Sequence, residues 1–593
     1  MRERWGAGVV RAAPALWSLV LAVVLLGGAL RPGFVLSYDM IWVPDLAVRE
    51  DFLGLGSGLP RAVPSDLVVA LLDEVVPGMV LQKGMLLGTL VVAGAGAWRL
   101  VPGASVLGSL AASTIYVWNP FVIERLGIGH WPLLMTYAAL PWIHLCARQL
   151  AADRRALPQL VIWLAFASLS PVGGLVAGLL AVVSVLASGR VAWRAATWTS
   201  GVVVAVNAPW AVAGALHGSS SVSDPAGAAV FAAHGEGVLP AWAAVVGLGG
   251  IWNAEVVPGS RTTWVAVAAL VVVLAVCAAG AGPWRRRTVR ADQLALAICA
   301  VLGLVLALAG AAAPGVVGWL VTHVPGAGLV RDGTRFVALI APLQAVLFGW
   351  GVSRVVAAVP ARMLGVSLGT VLVLTPVTLM PDAAFGLSGR LAAVSYPPEY
   401  AVAREALDRS RQGEHVGDVL VLPFTSYRRP AWNDGRRTLD PVGRYFPVDY
   451  LASDTLVVSG VEVSGEDRRA RRVASDLATL RGVELERALA REGIGWVVLD
   501  ADASRALIAE GVVDPQYGTD VALGDAQVIH EGDLLTVWEL PREGGTPHVA
   551  SPGAPQALLL GLAWLAAAAT VAWAVLTLAI RGSNTWRQMR RSE

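Results

Sequence analysis

Two carboxylates, Asp39 and Asp45, lie in the run Ser37-Tyr38-Asp39-Met40-Ile41-Trp42-Val43-Pro44-Asp45, a few residues beyond a long apolar segment. Acids held there against aromatic side chains suit accepting a proton from an incoming hydroxyl, provided that desolvation or positioning tunes them. Plain solvation on an outer loop explains the same residues, so spacing alone does not choose between the two. Cations recur nearby in the pattern: Lys83 after Gln82, Arg125 after Glu124 with His130 close behind, and Arg331 and Arg335 in Arg331-Asp332-Gly333-Thr334-Arg335. Fixed positive charge at a lipid interface suits a phosphate leaving group on a lipid carrier, which needs a partner as negative charge develops. Taken singly, Lys83 and Arg335 could equally snorkel to headgroups, while Glu124 with Arg125 and Asp332 with Arg331 could pair locally. Together the cations favour an anionic-lipid site.

Metal chemistry has less support. His234 and Glu236 stand two apart in a Gly-rich loop and would need a third ligand, so no metal site is assigned there. Cys146, Cys277 and Cys299 all fall in or beside apolar segments with no CxxC pair, which encodes neither a disulfide framework nor a zinc site. The sequence specifies no cofactor and leaves a divalent metal open.

The elements that must position these residues are membrane spans. The chain of 593 residues is 56% hydrophobic and only 15% charged, with mean hydropathy +0.62, where a soluble chain carries about a quarter charged residues. This is the composition of a polytopic α-helical membrane protein. A net charge of +2 without a basic stripe argues against nucleic acid as a partner. Apolar runs near 12–30, 79–98, 103–121, 131–148, 156–170, 172–188, 194–213, 262–282, 291–312, 335–354, 361–380 and 555–580 predict about twelve spans. Ser168 to Gly174 interrupts the fifth and sixth, which are read as a hairpin because one broken helix would put later basic loops on the wrong side. Arginine clusters such as Arg285, Arg286, Arg287 and Arg290 alternate with acidic loops, predicting a plasma-membrane protein with both termini cytoplasmic. The first span has no A-x-A-like cleavage site and is read as a retained helix.

This threading gives a membrane domain over 1–380, an extracytoplasmic segment over 381–552, and a last helix with a basic tail over 553–593. The first external loop, 31–78, contains a proline-bounded stretch over 64–77 that is too short to span and reads as an interfacial helix capped by Ser65 or Asp66. Within 381–552, apolar runs at 418–423 and 494–500, an Arg- and Glu-rich helical stretch between them, and a hairpin around Glu531-Gly532-Asp533 predict a small α/β domain.

Several motifs look like a known family. Ser37-Tyr38-Asp39 with Asp45, Val76-Pro77-Gly78 through Gln82-Lys83, Trp118-Asn119-Pro120-Phe121 through Glu124-Arg125-Leu126-Gly127, Trp131-Pro132 and Pro141-Trp142 resemble the membrane half of actinobacterial GT-C glycosyltransferases. They are most similar to the N-terminal region of the large mycobacterial α-(1→3)-arabinofuranosyltransferase family, and the resemblance covers most of 1–380. It implies a polyprenyl-phosphate-linked sugar donor, arabinofuranose or mannose, and an envelope polysaccharide or glycolipid acceptor on the outer face. By the same resemblance Asp39 falls at the first-loop acid, Asp45 at the second with slightly different spacing, and Lys83 at the basic position after Gln. Where the family continues into long carbohydrate-binding extensions, this chain has the small α/β segment.

The reading is an inverting transferase with Asp39 as general base, Asp45 orienting the acceptor or the first acid, and Lys83, Arg125, His130, Arg331 and Arg335 around the donor phosphate. Two alternatives stay open: a lipid or glycolipid transporter or flippase, disfavoured because most spans lack ionisable residues at mid-depth, and a non-catalytic envelope-assembly protein.

Overall fold

The computed structural model describes residues 2–56, 58–189, 192–218, 224–413, 415–458, 460–509, 523–541 and 553–591. Parts of the 381–552 segment, 510–522 and 542–552, thus lie outside the described residues.

Eight of the described helices are long and apolar enough to cross a membrane: Ala12–Leu30, Gly78–Arg99, Val106–Gly127, Trp193–Leu216, Trp264–Arg287, Arg290–Ala312, Gly333–Ala358 and Ala554–Ser583. A ninth follows if Arg362–Thr378 and Pro381–Ser388, bent by 60°, count as one. The chain is therefore a multi-pass membrane protein with fewer such helices than the twelve spans expected. The missing ones exist as helices but fail on physical grounds. Leu157–Ala167 has 11 residues and Pro171–Leu186 has 16, short of the roughly 20 that cross a bilayer core. Trp131–Leu150 is long enough, but His144, Arg148 and Gln149 lower its hydropathy.

The small α/β domain is built on a five-stranded sheet ordered Gln527–Glu531, Leu535–Glu539, Ile494–Asp500, Asp418–Leu422, Tyr450–Leu451. The central pair, Asp418–Leu422 and Ile494–Asp500, runs parallel and is buried along its whole length, as expected for strands covered on both faces. Helices Arg468–Thr479 and Gly482–Arg491 lie between these strands in the chain and pack apolar residues such as Val473 and Leu489 against the sheet.

A seam along the first external loop joins this domain to the membrane helices. Phe34 and Val35 pair antiparallel with Val394 and Ala393. Arg49 donates to the carbonyls of Gly443 and Arg444, Arg444 pairs with Asp66, and Arg404 pairs with Asp45 at 2.6 Å. The short helix Ser65–Asp73 is consequently not capped as expected. Its N-cap is Pro64 with no side-chain bond, because Asp66 faces Arg444 and the Ser65 hydroxyl donates to Ala62 O.

Where Asp51 of the loop meets Asp449 of the domain, burial and the neighbouring charges of Asp449 and Asp418 push Asp51 up to about 7. Burial and Asp418 push Asp449 up to about 6. Because both folded values exceed those of a free carboxylate, their contribution to stability is complete below about pH 4 and is lost as pH rises through 6 to 7. Asp51→Asn is expected to stabilise the protein at pH 7.5 by about 1 kcal/mol or more, and to give a smaller gain at pH 4.5. Thermal unfolding in detergent at the two pH values measures this.

Candidate active site

Asp39 is presented by a tight turn. Ser37 N donates to Met40 O and Met40 N to Ser37 O, with Tyr38 between them at φ 46°. That turn is pinned on two sides. On the membrane side, Asp39 N donates to Ile128 O at 3.0 Å and the Ser37 hydroxyl donates to Gly127 O at 2.6 Å. Gly129, at φ 83°, permits this approach, since a Cβ there would stand 2.3 Å from Met40 N. On the opposite side, Tyr38 N donates to Arg437 O, and Leu439 N donates to Tyr38 O, so the Tyr427–Arg428 and Thr438–Leu439 hairpin of the α/β domain extends over the turn.

The helix beneath the turn follows from Trp118-Asn119-Pro120. Pro120 starts helix Pro120–Gly127, where its missing N–H costs nothing, and the Asn119 side-chain Oδ1 caps it by accepting from Val122 N at 3.1 Å. The amide of Asn119 donates to Ile115 O, Tyr116 O and the Tyr137 hydroxyl, tying three helices together. Successive side chains on this helix point about 100° apart, and Glu124 and Arg125 accordingly diverge. Glu124 faces Glu236, which pairs with Arg261 at 2.6 Å, whereas Arg125 faces Asp332 at 3.5 Å. The acid of the His234 and Glu236 pair thus serves Arg261.

A chain of hydrogen bonds leads from Asp332 to Asp39. Arg125, only 1% exposed, donates to Thr334 and lies 3.1 Å from His130 Nδ1. An arginine can only donate, so Nδ1 accepts and the proton of the neutral ring sits on Nε2, which is 3.0 Å from Asp39 Oδ2. Burial pushes His130 below its usual range against the pull of Asp39, favouring that neutral ring. The other carboxylate oxygen of Asp39 accepts from the Tyr427 hydroxyl at 2.6 Å. Burial alone would raise the Asp39 carboxyl, but the bonds from His130 and Tyr427 and the nearby Arg335 charge outweigh it and hold Asp39 below the usual range. Its side chain nevertheless keeps 36% of its surface open. Each oxygen, with one bond taken, retains a lone pair for a further donor.

Arg335 completes the cluster. Its Nε bonds Asp332 Oδ2 at 2.9 Å, while its terminal nitrogens have no bond within the described protein and its side chain is 34% exposed. Asp332, also held low because Arg125 and Arg335 outweigh its burial, serves as the shared counter-charge. The structure therefore brings together Asp39, Arg125, His130 and Arg335 of the residues singled out above. It places three elsewhere. Asp45 is 67% exposed and pairs with Arg404. Arg331 pairs with Glu466 and lies over the Phe231 ring. Lys83 has Gln82 Oε1 at 3.5 Å and no carboxylate partner among the described residues. Sequence reasoning missed Asp332 and Thr334 as members of the cluster, and Tyr427 altogether, which lies 388 positions from its partner.

No family model and no curated protein matches the sequence. Among solved structures, the arabinofuranosyltransferase AftD from Mycobacteria superposes with TM-score 0.56 at 16% identity over 92% of this chain and 40% of AftD. A mutant AftD structure gives 0.57 at 17% identity over 93% of this chain and 42% of AftD. The chain thus spans about two fifths of the length of these structures. At such identity the likeness is one of fold. The chain therefore shares the fold of the arabinofuranosyltransferase AftD.

Proposed function

We propose that the chain is a membrane glycosyltransferase that moves a sugar, arabinofuranose or mannose, from a polyprenyl-phosphate carrier to a hydroxyl of an envelope glycan or glycolipid on the outer face. One observation supports this above the rest: a partly open carboxylate, oriented through both oxygens, stands near an arginine whose terminal nitrogens have no bond among the described residues. Asp39 takes the proton from the acceptor hydroxyl as its oxygen attacks the anomeric carbon. The bond from that carbon to phosphate oxygen breaks and the polyprenyl phosphate leaves with the electron pair. One displacement inverts the anomeric centre and needs no covalent enzyme intermediate, so one carboxylate suffices. Arg335 meets the charge that develops on the departing phosphate. Lys83, near the start of helix Gly78–Arg99 and without a carboxylate partner among the described residues, is suited to the carrier's phosphate. Arg125 and His130 act from behind, holding Asp39.

AftD shares this fold and is an arabinofuranosyltransferase, which supports the same reaction class here. Arg335→Gln tests the assignment of the phosphate site. It is expected to raise the KM for the polyprenyl-phosphate donor about tenfold, with the KM for the acceptor unchanged, in detergent-solubilised enzyme. An unchanged donor KM would remove Arg335 from the phosphate site.

A further inference from the structure

Asp39 receives one hydrogen bond from each side of the site, and the two sides belong to different parts of the fold. His130 is fixed from the membrane helices through Arg125. Tyr427 comes from the α/β domain, and a second set of buried contacts fixes its place. Its neighbour Arg428 is fully buried, 3.1 Å from Asp440 and 3.5 Å from Asp500 at the end of the central strand, and it donates to the carbonyls of Leu422 and Pro423. A guanidinium with that many partners sets the register of the hairpin against the sheet. The Tyr427 ring packs edge-on against Tyr38, centroids 5.5 Å apart, and the Tyr38 backbone continues the hairpin. Sheet, hairpin and turn thus aim one hydroxyl at Asp39 Oδ1 at 2.6 Å.

We infer that Tyr427 is a positioning residue for the Asp39 base, so that the α/β domain completes the active site instead of only overhanging it. This rests on the reading of Asp39 as the base. A phenol bonded to one carboxylate oxygen fixes the plane of the carboxylate and leaves the remaining lone pairs facing the open side. It also stabilises the ionised form, so the base stays charged as pH falls. Burial and the adjacent Asp39 charge hold the phenol well above its usual range, and it stays a donor throughout the working pH range.

The test has two readouts, one independent of turnover. Carbodiimide modifies protonated carboxyl groups, so the pH dependence of Asp39 labelling, read by mass spectrometry on the full-length protein, reports its titration. Tyr427→Phe keeps the ring and loses the hydroxyl. The labelling midpoint is expected to rise by about one pH unit, the acid limb of kcat/KM to move with it, and kcat to fall about tenfold, with both KM values within about twofold. Tyr396→Phe is the control, because the Tyr396 hydroxyl donates to Trp42 O at 2.9 Å across the same interface without contacting Asp39 or Tyr427, and its midpoint and acid limb are expected to stay at wild-type values. An unmoved midpoint in Tyr427→Phe, or an equal shift in Tyr396→Phe, would overturn the inference. If the wild type transfers no sugar while the midpoint still shifts only in Tyr427→Phe, the proposed reaction fails and the positioning of Asp39 stands.

Discussion

Asp39→Asn is expected to lower kcat by about a thousandfold or more, with thermal stability and membrane insertion close to wild type. The amide is nearly isosteric and still accepts a bond through its oxygen, so the turn over residues 37–40, held by backbone bonds to Ile128, Arg437 and Leu439, persists. It cannot take a proton from a hydroxyl. The comparison with Asp45→Asn makes the prediction specific. Asp45 pairs with Arg404 on an exposed edge of the seam, where an ion pair is worth about 0–1 kcal/mol, and its replacement is expected to leave kcat within about threefold of wild type. Steady-state transfer in solubilised membranes measures both. Comparable losses in the two variants would mean that the geometry around Asp39 does not single it out.

The second large effect is on stability. Arg125→Leu removes a fully buried cation that contacts Asp332, Thr334 and His130. Breaking a buried pair by deleting one partner costs about 3–5 kcal/mol, because the surviving charge stays in a poorly solvated place. Arg335 still neutralises part of Asp332, which sets the expectation at the lower end of that range. His130 also loses the donor that fixes its tautomer, so either ring nitrogen can then carry the proton and Asp39 is no longer addressed reliably. Arg125→Lys keeps the charge but not the planar fork, and is expected to recover much of the stability and little of the activity. A Tm within a degree of wild type for Arg125→Leu would show that the cluster is not the buried network described above.

These expectations rest on residues with different visibility in the sequence. Asp39, Arg125, His130 and Arg335 were singled out in the sequence as an acid and cations beside apolar segments, where solvation or local pairing explained each of them as well. The strands Asp418–Leu422 and Ile494–Asp500 were legible as short apolar runs in a charged segment. The partners were harder to read. Neighbouring opposite charges suggested that Glu124 pairs with Arg125 and Asp332 with Arg331, but Glu124 turns toward Glu236, Arg125 reaches Asp332 and Arg331 reaches Glu466. Tyr427 gave no local signal, since its role comes from a hairpin register set by Arg428 and from a loop almost four hundred residues earlier. The twelve spans are not all matched by long helices because two of the apolar runs form short ones: at Ser168–Ser170, where the sequence already marks an interruption, the Ser170 hydroxyl caps a new helix by accepting from Gly173 N at 3.1 Å, leaving helices of 11 and 16 residues.

The most direct test of the central claim is sugar transfer by the purified, full-length protein in proteoliposomes, with labelled polyprenyl-phosphate arabinofuranose and polyprenyl-phosphate mannose supplied side by side with an envelope-glycan acceptor. The account predicts transfer from one of the two donors, release of polyprenyl phosphate in equal amount, and inversion at the anomeric carbon of the product. Retention of anomeric configuration would contradict the single-displacement mechanism. Absence of transfer and of donor binding by intact, folded protein would contradict the assignment of this site to a lipid-phosphate sugar.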